Sequence, residues 1–121
     1  MDLREVLESF FESIPETYFV GLFEEGGLLV DSVSKIGDLD SEMAAGASQT
    51  IVQAIESVID KRSREAYGPF KEAIIETENA LISVAKLSGT GFGIVGIFEK
   101  DVPLGLVRNR FEKTVELLQT M

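Results

Sequence analysis

The stretch that decides the fold is Phe92-Gly93-Ile94-Val95-Gly96-Ile97-Phe98, in which every residue is apolar or glycine. Both alternating sets of side chains are apolar, so a strand formed here needs cover on each face and belongs at the centre of a sheet. Residues 91–96 also match G-x-G-x-x-G, but a dinucleotide site needs those glycines between a strand and a helix. We interpret them as glycines that let helices approach a central strand.

Two further strands are predicted immediately before this one, at residues 70–77 and 80–87, with turn residues between them. The first of the two mixes Lys71, Glu72 and Glu76 with apolar residues, which is typical of an edge strand.

A β-hairpin is predicted nearer the N-terminus, from residues 17–23 and 28–33 around Gly26-Gly27. The first of its strands is apolar on both faces. We therefore expect helices to cover the sheet on two sides.

Apolar residues at helical spacing predict three helices. The first ends before Pro15, the second begins at Asp38 or Asp40 as N-cap, and the third begins near Leu104 with a possible Arg108–Glu112 ion pair. The spaced apolar positions are Leu3, Val6, Leu7, Phe10, Phe11 and Ile14; then Met43, Ala47, Ile51, Ala54, Ile55, Val58 and Ile59; then Val107, Phe111, Val115 and Leu118.

The element order is therefore αββαβββα, which predicts an α/β (α+β) fold. The chain has 121 residues, of which 45% are hydrophobic and 26% charged, and these values suit one globular domain over residues 1–121. No linker or internal repeat divides it.

The composition excludes most kinds of catalytic site, because the chain has no Cys, His or Trp. Thiolate nucleophiles, imidazole-based triads and zinc sites built on Cys or His cannot form within it. Carboxylates remain, but no pair has diagnostic spacing, and no G-x-x-x-x-G-K-[S/T] sequence provides a P-loop for GTP. We expect neither an enzyme nor a bound cofactor.

Four acidic residues, Asp31, Asp38, Asp40 and Glu42, could be imagined as oxygen ligands of a divalent metal. Their spacing is not that of a calcium loop. Helix capping and solvation explain them better, so no metal is expected.

The net charge of −10 is unevenly distributed, since residues 1–42 hold 2 basic and 11 acidic side chains. An acidic surface repels phosphate backbones and anionic lipid headgroups, so nucleic acid and membrane are poor candidates as partners. A protein with a basic face is a better candidate, although the charge also serves solubility.

The N-terminal sequence Met1-Asp2-Leu3-Arg4-Glu5 is acidic where a secretory signal would be basic. No apolar run approaches the roughly 18 residues that a membrane helix requires. We expect a cytoplasmic protein.

Five short motifs occur in order along the chain: Val20-Gly21-Leu22-Phe23, Gly27-Leu28-Leu29-Val30-Asp31, Asp40-x-Glu42-x-Ala44-Ala45, Ile74-Ile75-Glu76-Thr77-Glu78 and Leu104-Gly105-Leu106-Val107-Arg108. Through these motifs the chain resembles the roadblock/LC7 family, the dynein light-chain-like domains that in bacteria include the MglB type. The resemblance extends over nearly the whole sequence and implies a five-stranded antiparallel sheet, with the middle helix on one face and the terminal helices on the other.

The resemblance also implies a dimer that pairs the third strands and packs the middle helices together. The sequence agrees with this, because an unpaired edge strand is a liability and residues 44–48 lack bulk, so the helix could lie close to Gly21 or to a copy of itself. The residues expected at the interface are Ala44, Ser48, Ile51 and Ile55 of the helix and Phe70, Ala73 and Ile75 of the strand.

The function implied by the resemblance is that of a non-catalytic dimeric adaptor or regulator, which pairs with itself or a related roadblock domain and binds a Ras-like small GTPase. A structural subunit of a larger complex and a small-molecule-sensing domain remain alternatives. Lys61, Arg62 and Arg64 could supply a catalytic arginine to a GTPase, but charges that complement a helix C-terminus are the simpler interpretation.

Overall fold

The helices and strands follow one another in the predicted order, αββαβββα. The computed structural model describes residues 1–59 and 65–121. The elements are α1 (Leu3–Ser13), β1 (Thr17–Glu24), β2 (Leu29–Ser34), α2 (Ser41–Val58), β3 (Glu72–Glu76), β4 (Ala80–Leu87), β5 (Phe92–Glu99) and α3 (Leu104–Gln119). Residues 65–67 are also helical.

All five strands belong to one antiparallel sheet in the order β2-β1-β5-β4-β3. Strand β5 pairs with β1 on one side and β4 on the other, so the apolar run at residues 92–98 is central, as predicted. Strands β2 and β3 form the two edges. This confirms the prediction of an edge strand from the charged residues of β3.

The glycines of β5 provide room for aromatic rings, and the expectation that they admit helices was wrong. A β-carbon added to Gly93 would lie 2.3 Å from Cζ of Phe23, its neighbour across the sheet. One added to Gly96 would lie 2.4 Å from Cζ of Phe98. Both rings are almost fully buried, so each lies against the main chain where a side chain would otherwise stand.

The close approach of α2 to a glycine occurs at Gly27 in the β1–β2 turn and not at Gly21. Gly27 has a φ of +79°, and a β-carbon there would lie 3.2 Å from Cβ of Gln49 and 3.6 Å from Cα of Gly46. At Gly21 the nearest atoms belong to the ring of Phe19. The small segment of α2 therefore packs on a turn.

Two apolar layers enclose the sheet, as the resemblance implies. Helices α1 and α3 cover one face, where the ring of Phe10 stacks on Phe111 at 5.4 Å between centroids and meets Phe98 at 6.3 Å. Helix α2 covers the other face through Ala45 and Val52. Among the described helices, none is both long and apolar enough to cross a membrane.

Helix α3 differs from the prediction in its ion pair and not in its inward face. Val107, Phe111 and Leu118 are buried and Val115 packs half-buried against the same core, as predicted, while Thr114 is also buried. Arg108 does not pair with Glu112, because its Nε donates to Oε1 of Glu72 on β3 at 2.7 Å.

We predict that Gly93→Ala lowers the free energy of unfolding by about 1–3 kcal/mol, because the new methyl group must displace the buried ring of Phe23. Urea denaturation measures the loss. The control is Gly105→Ala in α3, where a β-carbon meets no atom within 4 Å. It should leave stability unchanged or raise it by up to about 1 kcal/mol. Equal effects of the two changes would contradict this account of Gly93.

Candidate functional site

The outer side of β3 presents main-chain groups that the sheet does not use. The N–H of Lys86 donates to the carbonyl of Lys71 at 3.0 Å, just before β3 begins. Main-chain groups in an antiparallel strand alternate between its two sides, so the odd-numbered residues of β3 bond to β4. Glu72, Ile74 and Glu76 therefore direct their N–H and C=O groups away from the sheet.

The β2 edge is partly covered by α1. The guanidinium of Arg4 donates to the carbonyl of Ser32 and, at 3.0 Å, to Oδ1 of Asp31. The hydrogen bond to Asp31 raises the pKa of Arg4 above its ordinary value. The N–H of Lys35 bonds to the carbonyl of Tyr18, so by the same alternation the Ser32 carbonyl faces away from β1. Among the hydrogen bonds of the described residues, none reaches the outward main-chain groups of β3 in this way.

Helix α2 buries only one narrow side against the sheet. Ala45, Ser48 and Val52 are buried on that side. Large apolar side chains on the same helix are open to solvent, and these are Met43 (69% exposed), Ile55 (43%) and Val58 (77%). An apolar group of this kind on a helix surface is typical of a contact with another chain.

Apolar residues of the sheet continue this face beyond α2. The helix packs against β1, β2 and β5. Ala73 of β3 and Ile82 of β4 are half-buried at the border of the α2 layer, and Ile75 shares their face by the alternation of the strand. On the α2 face, the half of the sheet that ends at β3 is thus apolar, and the described residues cover it incompletely.

The seven residues expected at an interface fall into two groups. Ser48 and Phe70 are covered within the chain: the hydroxyl of Ser48 donates to the carbonyl of Ala44 at 2.7 Å, and Phe70 is 8% exposed. The other five retain accessible surface and are Ala44, Ile51, Ile55, Ala73 and Ile75. Sequence reasoning missed Met43 and Val58 as surface residues, since helical spacing alone does not show which side of α2 faces the sheet.

Phe70 lies outside the strand to which the sequence assigns it. Strand β3 begins at Glu72 and not at residue 70, because the chain leaves the sheet and Phe70 packs with Phe23 and Val84 in the α2 layer.

Two of the four acidic residues considered as metal ligands, Asp31 and Asp40, make contacts within the chain. Asp40 caps α2, with Oδ1 accepting from the N–H of Met43 at 3.0 Å, and Asp31 binds Arg4. Over residues 1–59 and 65–121, no three His, Cys, Asp or Glu side chains are grouped closely enough to hold a metal ion. The basic residues considered for a GTPase active site lie outside the described residues and are Lys61, Arg62 and Arg64.

Two clefts lie at the end of the sheet that carries the β1–β2 and β4–β5 turns. One, of about 290 Å³, lies between β4 and α3 beside Phe111 and Arg108. The other, of about 220 Å³, lies on the α2 side beside Phe23 and Phe70. The first is at the lower limit of the roughly 300–1,000 Å³ of typical small-molecule sites, and the second is below it.

The fold is that of known roadblock/LC7 structures. A roadblock/LC7 domain from Streptomyces avermitilis superimposes with a TM-score of 0.81 at 14% identity, over 99% of this chain and 97% of that one. Myxococcus xanthus MglB gives 0.79 at 21% identity, over 96% and 84%. An MglB in a tetrameric arrangement gives 0.80 at 18% identity, over 95% and 83%. No protein-family model and no curated protein sequence matches this chain.

We predict that Phe70→Ala lowers the free energy of unfolding by about 3 kcal/mol, because it leaves a cavity in the α2 layer. The loss should be the same in dilute and concentrated protein, since the contact lies within one chain. Ile55→Ala, at an exposed position, should change the stability of dilute protein by no more than about 0.5 kcal/mol. Urea denaturation at two protein concentrations measures both. A loss for Phe70→Ala that appears only in concentrated protein would contradict its assignment to the core.

Proposed function

We propose that this domain of roadblock/LC7 fold is a non-catalytic dimeric adaptor or regulator that binds a Ras-like small GTPase. The observation that carries the proposal is the coincidence of an open strand edge, β3, with exposed apolar side chains on the α2 face of the same sheet. An open edge offers main-chain hydrogen bonds and an apolar face offers burial, which together suit another protein chain.

The first partner in this proposal is a second copy of the chain or a related roadblock domain. Two β3 edges can pair antiparallel about a two-fold axis, which extends the sheet from five strands to ten. The resemblance to the roadblock/LC7 family implies that the α2 helices also pack together across this axis, and their exposed Ile55 and Val58 would then lose contact with water. Ala73 and Ile75 lie beside the junction on that face.

The second partner in this proposal is a Ras-like GTPase, and this part of the proposal is based on the resemblance to the roadblock/LC7 family. The fold shared with MglB supports it. The acidic surface adds a physical requirement, because Glu5, Glu8 and Glu12 are exposed on α1 and favour a partner with a basic face. In this proposal the domain acts in the cytoplasm, and the resemblance to the bacterial members of the family implies that it positions the GTPase's own catalytic groups.

We predict that Ile55→Glu weakens self-association by at least about tenfold, because two unpaired carboxylates would be buried near the two-fold axis. Light scattering coupled to size-exclusion chromatography should change from twice 13.2 kDa towards 13.2 kDa. The matched control is Leu28→Glu, which alters a residue 66% exposed in the turn beside β2, at the opposite edge from β3. It should remain dimeric. A wild-type monomer at tens of micromolar would refute the dimer.

We also predict that the domain binds its Ras-like partner more tightly in the GTP form than in the GDP form, and changes the partner's rate of GTP hydrolysis. Calorimetry with each nucleotide and single-turnover hydrolysis, with and without the domain, measure the two effects. Ile55→Glu tests whether they require the dimer. Equal binding to both forms with an unchanged rate would instead indicate a structural subunit, and hydrolysis by the domain alone would contradict a non-catalytic role.

A further inference from the structure

The outward residues of β3 carry a charge pattern that a second copy would meet directly. Glu72 and Glu76 lie on either side of Ile74, and all three direct their main-chain groups away from the sheet. Glu72 is bound by Arg108 of α3 at 2.7 Å, with its side chain 19% exposed and that of Arg108 54% exposed.

Geometry restricts how two β3 strands can pair. Residues that exchange main-chain hydrogen bonds must all point outward, so even-numbered residues can pair only with even-numbered ones. A pairing centred on Ile74 uses the whole five-residue strand, with Ile74 opposite Ile74 and each Glu72 opposite Glu76 of the partner subunit. Moving the centre by one residue in either direction shortens the overlap.

Side-chain sizes favour the same centre. On the α2 face, a pairing about Ile74 sets Ala73 opposite the partner's Ile75. These residues form non-hydrogen-bonded pairs, whose Cα atoms approach to about 4.5 Å, and a small side chain opposite a large one fits that spacing. Centring on Ile75 would oppose two isoleucines, and centring on Ala73 would oppose two alanines.

Repulsion between carboxylates would destabilise a pairing centred on Ile74 unless a cation lies between them. Glu72 and the partner's Glu76 would form a hydrogen-bonded pair with Cα atoms about 5.5 Å apart, and like charges directly opposite are destabilising. Arg108 already neutralises Glu72 through Nε. A guanidinium has five N–H donors, and within the described residues the others on Arg108 make no hydrogen bond.

We propose that Arg108 sets the register of the dimer by binding Glu72 in its own chain and Glu76 of the partner subunit, in an antiparallel β3 pairing centred on Ile74. The inference rests on the dimer of the proposed function. It names the contact that makes β3 complementary to itself and assigns Arg108 a positioning role, repeated twice in each dimer by symmetry.

The test is a double-mutant cycle on the dissociation constant, measured at low salt. R108Q should weaken the dimer by about fivefold, because Glu72 and the partner's Glu76 then face each other without a cation, at two equivalent places. In an E76Q background the same R108Q change should have less than a twofold effect. Within one chain Glu72 and Glu76 are four residues apart, about 13 Å, so coupling of Arg108 to Glu76 reports a contact between chains.

The control cycle pairs R108Q with E78Q, because a register centred on Ile75 would set Glu72 opposite the partner's Glu78. Urea denaturation of dilute protein should show that R108Q leaves the folded chain intact, since Arg108 is on the surface. Coupling to Glu76 that weakens at high salt supports the proposal. Coupling to Glu78, or to neither residue, in a protein that still dimerises overturns the register and leaves the proposed function standing. A monomer under all conditions overturns both.

Discussion

The packing of aromatic rings against the main chain of β5 is the constraint on which the other layers depend. Gly93 and Gly96 have no β-carbons, so the rings of Phe23 and Phe98 occupy that space on opposite faces of the sheet. On one face Phe98 meets Phe10 of α1. On the other face, α2 packs with Ala45, Ser48 and Val52 into the layer that holds Phe23. Met43, Ile55 and Val58 of α2 are left exposed.

The way in which the helices pack on the two faces of the sheet explains which features the sequence could predict and which it could not. The element order, the central strand and the edge strand follow from periodicities of 2 and 3.6 and from charge, which are local properties. The rotation of α2 does not, because apolar residues lie on more than one side of that helix and the rings beneath it belong to β1, about 25 residues earlier in the chain. Phe70 was placed in the strand for a similar reason: its burial depends on contacts with distant residues.

Electrostatic contacts were the least predictable part of the candidate site. Local spacing suggested that Arg108 would pair with Glu112 on its own helix, whereas its partner Glu72 is 36 residues away. Asp31 likewise binds Arg4, 27 residues away. A long cationic side chain can reach several carboxylates, and only the tertiary arrangement decides among them. The interface residues themselves could be proposed from the family resemblance, but their division into covered and accessible groups needed coordinates.

The contact between Arg4 and the carbonyl of Ser32 limits how many chains can join the sheet of the proposed dimer. A sheet whose two edge strands are both unprotected could add a further molecule at each edge and grow into a fibre. In this chain the guanidinium of Arg4 binds the outward carbonyl of Ser32 at the β2 edge. An incoming strand would need that same oxygen for a main-chain hydrogen bond. In the proposed dimer both outer edges would be β2 strands that carry this contact, which disfavours the addition of a further chain there.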